Sequence, residues 1–216
     1  MAVLARKSTC RRLVFALAGA AWALTAPAFA VSTTITECFS ENHQRRIAGC
    51  TELIENPNID AGTRSLAYSM RALALSLQGK LEDSLPDYDR AIELDPFSAM
   101  SHNNRAWVKF KLNRLEEGLV DVERSLVLGP ASPHAHDTRA HIRQALGQPN
   151  AALRDYERAM RFGGEPLVRL YQCGLEAAGH YIGPIDGLYT STVRKALETC
   201  VRNTDCDPLP PDEECR

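Results

Sequence analysis

Six cysteines, a group of histidines and a recurring set of aspartates and arginines are the residues whose types and spacing could do chemistry in this chain. The cysteines are Cys38, Cys50, Cys173, Cys200, Cys206 and Cys215; a seventh, Cys10, stands apart near the start. No Cys-x-x-Cys pair occurs and the six fall into two distant groups, which speaks for disulfides rather than a metal site. Cys38 pairs most simply with Cys50, and the other four can pair among themselves in any of three ways. His134, His136 and His141 lie close in sequence, but His134 and His136 are two apart and face different sides of a helix. A metal there would need a distorted first turn, so ordinary surface histidines are expected. Asp87, Asp121 and Asp155 recur beside Arg90, Arg124 and Arg158, a pattern expected to form a solvated, salt-bridged face rather than an acid/base site. There is no Gly-x-Ser-x-Gly, no His-Glu-x-x-His and no phosphate loop. No catalytic residue, no metal and no cofactor is expected, and the chain reads as a non-enzyme.

The N-terminus bears on the redox question. Arg6, Lys7, Arg11 and Arg12 form a basic region, Leu13 to Pro27 is an apolar run, and Ala28-Phe29-Ala30 is a small-x-small cleavage signal. Residues 1–30 read as a secretory signal peptide cut after Ala30, which predicts a periplasmic or secreted protein. The alternative, a retained anchor, has only about 15 apolar residues, short for a membrane span. No stable membrane insertion is expected after cleavage. Arg11-Arg12 leaves a twin-arginine route open. Six cysteines in an exported chain suit three disulfides. Removing residues 1–30, which hold four basic residues and no acidic one, takes the net charge from −2 to −6. A nucleic-acid partner is therefore not expected, nor adhesion to anionic lipid by charge alone.

The elements that must position these residues follow from a repeat. Arg-Ala occurs at Arg71-Ala72, Arg105-Ala106 and Arg139-Ala140, with a step of 34 residues. A second marker keeps the step: Asp87-Tyr88-Asp89-Arg90-Ala91, Asp121-Val122-Glu123-Arg124-Ser125 and Asp155-Tyr156-Glu157-Arg158-Ala159. A fixed period without insertions implies one helical unit stacked on copies of itself. The expected helices are Arg64 to Gln78 and Leu81 to Leu94, Ser98 to Leu112 and Leu115 to Leu128, then Pro133 to Leu146 and Asn150 to Phe162. Gly79, Asn113 and Gly147 take the turns, Ser132 caps a helix with Pro133 at its first position, and Gly163-Gly164 breaks the array. Pro86 falls inside a helix that it should weaken or kink. Ahead of the repeats, Val31 to Thr36 is expected to be loose and Glu37 to Glu55 helical. A straight helix would hold Cys38 and Cys50 about 18 Å apart, so their disulfide needs a bend near Gly49 or between Ser40 and Asn42.

These units resemble tetratricopeptide repeats. Ala72, Ala106 and Ala140 match the family's tight helix-packing position; Tyr88, Val122 and Tyr156 the bulky one in the second helix; Ala91, Ser125 and Ala159 the small one; Pro96 and Pro130 the closing one. Leu81 and Leu115 follow the turn, and Pro149 departs from them in the third unit. The resemblance implies an all-α superhelix of antiparallel helix pairs with a concave groove for a protein or peptide. Its lining would be Ser69, Leu73 and Ser76; Asn103, Trp107, Phe110 and Lys111; and Asp137, His141 and Gln144. Trp107 and Phe110 beside Asn103 and Lys111 would suit an extended peptide, with the alternative that the two rings pack on the adjacent helix. The family's basic clamp for acidic C-termini is not repeated across the units.

After Gly164 the composition changes. Leu167 to Ala178 and Ser191 to Val201 read as short helices around the loop Gly179 to Tyr189. Gln172, Leu175, Gly179, Tyr181, Gly183, Pro184, Asp186, Gly187, Tyr189, Ala196 and Leu197 resemble the small peptidoglycan-binding domain of cell-wall hydrolases, which implies glycan contacts from Asp186 and the two tyrosines. Thr190, Val193, Cys200 and Val201 depart from that pattern, and a cysteine- and proline-rich tail replaces its third helical piece. A small helical cap stapled by disulfides, with no ligand, fits equally well. The domains are thus 1–30 signal peptide, 31–63 N-terminal capping helix, 64–164 three repeats and 165–216 the peptidoglycan-binding-like module. The expected function is an exported adaptor holding a protein or peptide, with peptidoglycan a second partner. A divergent wall hydrolase or its activating subunit, or a structural oligomer, are the alternatives.

Overall fold

The computed structural model describes residues 34–209; the expected signal peptide at 1–30 and Cys215 lie outside the described residues. All regular structure among them is helical. A helical turn at 34–38 precedes α1 (His43–Glu55). Three pairs follow: α2 (Ala61–Leu77) with α3 (Leu81–Leu94), α4 (Ala99–Lys111) with α5 (Leu115–Leu128), and α6 (Pro133–Ala145) with the first arm of α7 (Pro149–Ala177). The chain ends in α8 (Ser191–Cys200) and a tail.

Side-chain oxygens set the starts of α1, α2, α4 and α6. Asn42 accepts from Arg45 N, Asp60 from Thr63 N, Ser98 from Ser101 N and Ser132 from Ala135 N, each satisfying an amide that the helix cannot. The second helix of each pair has no such cap. It follows its partner through a single left-handed residue, Gly79, Asn113 or Gly147. At each turn an amide three residues beyond the helix bonds back by five, as Lys80 N does to Leu75 O at 3.0 Å and Arg114 N to Lys109 O at 2.8 Å. Asn113 adopts φ 57° there, the one non-glycine to do so among the described residues. Pro86 sits on the exposed face of α3, which runs through it without a break.

The expected small residues pack where helices approach. Ala72, Ala106 and Ala140 are fully buried, as are Tyr88, Val122 and Tyr156 across from them. The 34-residue period also carries a polar cross-brace. Arg71, Arg105 and Arg139 each make a two-pronged bond, at 2.6–2.8 Å, to Asp87, Asp121 and Asp155 of the second helix of the same pair. The three aspartates are 8 %, 4 % and 0 % exposed. This corrects the expectation of a solvated face. Arg90 pairs with Glu93 and Arg124 lies over Phe97; only Arg158 reaches its expected aspartate, at 3.2 Å. Burial works against the charge of Asp121, but His102, Arg105 and Lys109 outweigh it and hold the carboxyl well below its usual range.

The N-terminal bend falls at residues 39–42, and Cys38–Cys50 closes across it with Cα atoms 4.4 Å apart. Thr34 to Thr36, expected loose, form part of the helical turn. Gly49 permits the closure: a Cβ there would stand 2.6 Å from Cys38 N and 2.7 Å from Glu37 Cβ. At the other end Gly164 (φ 66°, ψ −160°) kinks α7 into two arms. The second arm, the loop and α8 do not form a separate core. Tyr156 and Met160 of the third repeat share one apolar cluster with Val168, Tyr171, Leu175, Tyr181, Val193, Leu197 and Cys200. Cys200–Cys206 is a second disulfide and Cys173 is also disulfide-bonded. No helix among the described residues is long and apolar enough to cross a membrane.

Candidate binding groove

The first helices of the pairs touch along the stack, α2 with α4 and α4 with α6, and form one concave side. A groove of about 540 Å³ runs along it. Leu73, Ser76, Asn103, Trp107 and Asp137 line it as expected. Leu77, Met100, Asn104 and His134 line it too, with Tyr88 and Ser125 from the second helices. Leu77 and Asn104 each stand one residue from an expected position, Ser76 and Asn103, so a wider stripe of each helix includes them. Leu77 is 58 % and Met100 41 % exposed, a wet apolar floor. Asn103 Oδ1 has no hydrogen-bond partner among the described residues.

The other expected residues lie elsewhere. Ser69 is buried, its Oγ 2.6 Å from that of Ser101. Phe110 is half-buried against the second repeat's core. Lys111 is exposed and holds its ammonium 5.3 Å from the centre of the Trp107 ring, within reach of a cation–π attraction. His141 and Gln144 are each 5 % exposed. What covers them is the chain's own tail.

His141 lies among rings, with Trp107, Phe110 and Tyr156 centred 5.2–5.7 Å away. Both of its ring nitrogens face oxygens. Nδ1 is 3.0 Å from the Asp137 carbonyl and 3.5 Å from its carboxylate; Nε2 is 3.1 Å from Asp207 Oδ1 in the tail. Two acceptors require two protons, so the ring is an imidazolium. Burial opposes that charge, but Asp137 and Asp207 outweigh it and push the pKa up to about 9. Burial raises the pKa of Asp137, whose carboxylate also accepts a hydrogen bond from the Tyr171 hydroxyl.

Gln144 fastens the tail. Its Nε2 donates to the carbonyls of Asn203 and Cys206 at 2.8 and 2.6 Å, while its Oε1 accepts from the Tyr156 hydroxyl. The tail then crosses α7 at Gly174, where a Cβ would collide with the Pro208 carbonyl and lie 2.6 Å from the carbonyl carbon of Leu209. Asp207 Oδ1 also accepts from Leu209 N at 3.0 Å, a turn that brings Leu209 into the groove wall. A glycine inside a helix was the available sign of this approach.

The expected glycan loop is braced from within. Gln172, fully buried, donates to Asp186 Oδ1 at 2.8 Å and accepts from Gly187 N at 2.8 Å. Tyr181 is 3 % exposed and its hydroxyl donates to the Pro184 carbonyl. Tyr189 donates to Glu157 of the third repeat. Gly183 packs on the Tyr181 ring. Outward side chains of the loop include Ile182 and Leu188, 93 % and 60 % exposed, with Pro184 and Tyr189 also exposed. His134 lines the groove, whereas His136 is buried with Nε2 2.9 Å from the Pro130 carbonyl, so the three histidines do not converge.

The stack has the helix-pair architecture of tetratricopeptide repeats, and residues 65–98 match that family. Among solved structures, MamA protein is similar at 15 % identity over 70 % of this chain and 80 % of its own, with a TM-score of 0.54. A tetratricopeptide repeat protein from Parabacteroides merdae is similar at 17 % identity over 65 % of this chain and 59 % of its own, with a TM-score of 0.50. No curated protein matches the chain.

Proposed function

We propose that the protein is an exported adaptor whose concave groove holds an extended segment of another protein. The observation that carries this is the groove itself. It is long, floored by exposed Leu77 and Met100, walled by Trp107, and edged by polar groups at Asn103 and Asp137. An extended peptide presents side chains alternately and backbone amides between them, which such a lining can meet. The repeat fold supports an interaction role. The disulfides Cys38–Cys50 and Cys200–Cys206 support an oxidising compartment. The test is capture from an envelope extract on immobilised wild-type protein and on Trp107→Ala. The groove reading expects a retained protein that Trp107→Ala loses while keeping its helical circular dichroism. Equal capture by both would remove the groove from the account.

A second partner, peptidoglycan, rests on the loop around Asp186, whose bracing by Gln172 leaves Ile182 and Leu188 outward. Co-sedimentation with purified peptidoglycan tests it. Because the module shares its core with the third repeat, the comparison is the double variant Ile182→Ser/Leu188→Ser rather than a truncation. Wild type should pellet and the variant should not; failure of both to pellet makes the module a cap.

A further inference from the structure

We propose that Asp207–Pro208–Leu209 is an internal ligand of the groove, and that the partner displacing it is an extended segment with a carboxylate two residues before an aliphatic side chain. The proposal rests on the groove reading above and names its ligand chemistry. The tail already shows that chemistry in place. Among the described residues of the tail, the Asp207 carboxylate meets an imidazolium at His141 and lies near the ammonium of Lys111. Two residues on, Leu209 enters the groove lining that also includes Leu73 and Trp107. The segment is held at its upstream end as well, by Gln144 and Cys200–Cys206, so it is presented rather than left to find the site.

Three features mark it as a ligand rather than permanent core. Asp207 is 58 % exposed in its side chain, so water competes for the contact with His141. Leu209 is only partly buried. The groove continues beyond it to Leu77 and Met100, unfilled by any described residue. A tethered segment acts at an effective concentration on the order of mM. A free partner must therefore bind better than the tail, or engage the open part first and then replace Leu209. The tail thus sets a threshold on affinity, and disfavours segments lacking the acid or the aliphatic group.

The test uses the full oxidised chain and a fluorescent hexapeptide, Asp-Ser-Asp-Pro-Leu-Pro, which is residues 205–210 with Ser in place of Cys206. Gly174→Ala should push the tail off its helix without touching the groove. Asp207→Asn/Leu209→Ala releases it by a separate route, should Gly174→Ala lose its helical circular dichroism. The peptide should bind the released chain at least ten-fold tighter than wild type, and His141→Gln in that background should reverse the gain. Equal affinity for wild type and the released chains would overturn the internal ligand while leaving a peptide groove standing. No binding to any folded variant would overturn the acid-and-aliphatic chemistry, and the groove reading would then stand or fall on the Trp107→Ala capture.

Discussion

Nε2 of His141 lies 3.1 Å from Oδ1 of Asp207, 66 residues further along the chain. That contact ties the last described turn of the protein to the helix that walls its groove. It exists because Gln144 holds the tail's turn and Gly174 lets the backbone lie flat on α7. Asp137 from the same helix faces the other ring nitrogen, and Tyr156 and Tyr171 close the site from α7.

The pair makes stability depend on pH in a stated direction. His141 has its pKa raised from 6.5 to about 9. Its contribution is complete below pH 6.5 and is lost as pH rises through 9. Asp207 is displaced downward, so its share is lost only under acid conditions. Because Asp207 is half-solvated, the loss on the alkaline side is expected to be about 1–2 kcal/mol. Urea unfolding at pH 6.5, 8 and 9.5 should show the decline in wild type, and a flatter profile in His141→Gln.

The cross-braces are not equivalent. Arg71 is the only bonded cation that Asp87 has among the described residues, whereas Asp155 also holds Arg143 at 2.6 Å and Arg158 at 3.2 Å. Removing a sole partner leaves a buried charge unpaired. Arg71→Met should therefore cost about 2–4 kcal/mol and Arg139→Met about 1–2 kcal/mol, measured by chemical unfolding. Equal losses would mean that Arg143 and Arg158 do not support Asp155.

The N-terminal cap depends on a short covalent loop. Cys38 and Cys50 are 12 residues apart and both fully buried. Replacing both by serine should lower stability by about 2–4 kcal/mol, through lost loop restraint and two buried hydroxyls. Gly49→Ala should weaken the same cap, because its methyl would meet Cys38 N and Glu37 Cβ. Thermal unfolding of both variants checks this.

The regular part of this fold was legible because its signal is periodic. Leu81–Leu94 and Leu115–Leu128 match the expected helices at both ends, since turn residues and closing prolines bound them. The Arg–Asp braces were half visible: both markers stood in the sequence at 34-residue steps, but their pairing spans 16 residues across two helices. Local spacing drew attention to Arg90 and Arg124 instead. The tail was illegible for a different reason. Asp207 and Leu209 occur once, without period, and their partners His141 and Gly174 are set by tertiary packing. The sequence places His141 and Gln144 in an open groove because that is where their helix face points in a repeat array with no tail across it.

The most direct test of the groove is to ask which face of the protein a partner touches. A photo-crosslinking residue at Met100, 41 % exposed on the groove floor, is compared with one at Val120, 68 % exposed on α5 outside the groove lining. In envelope extracts, a discrete adduct from Met100 that Trp107→Ala abolishes, with none from Val120, is the predicted result. An adduct from Val120 alone would place the partner outside the groove and contradict the account.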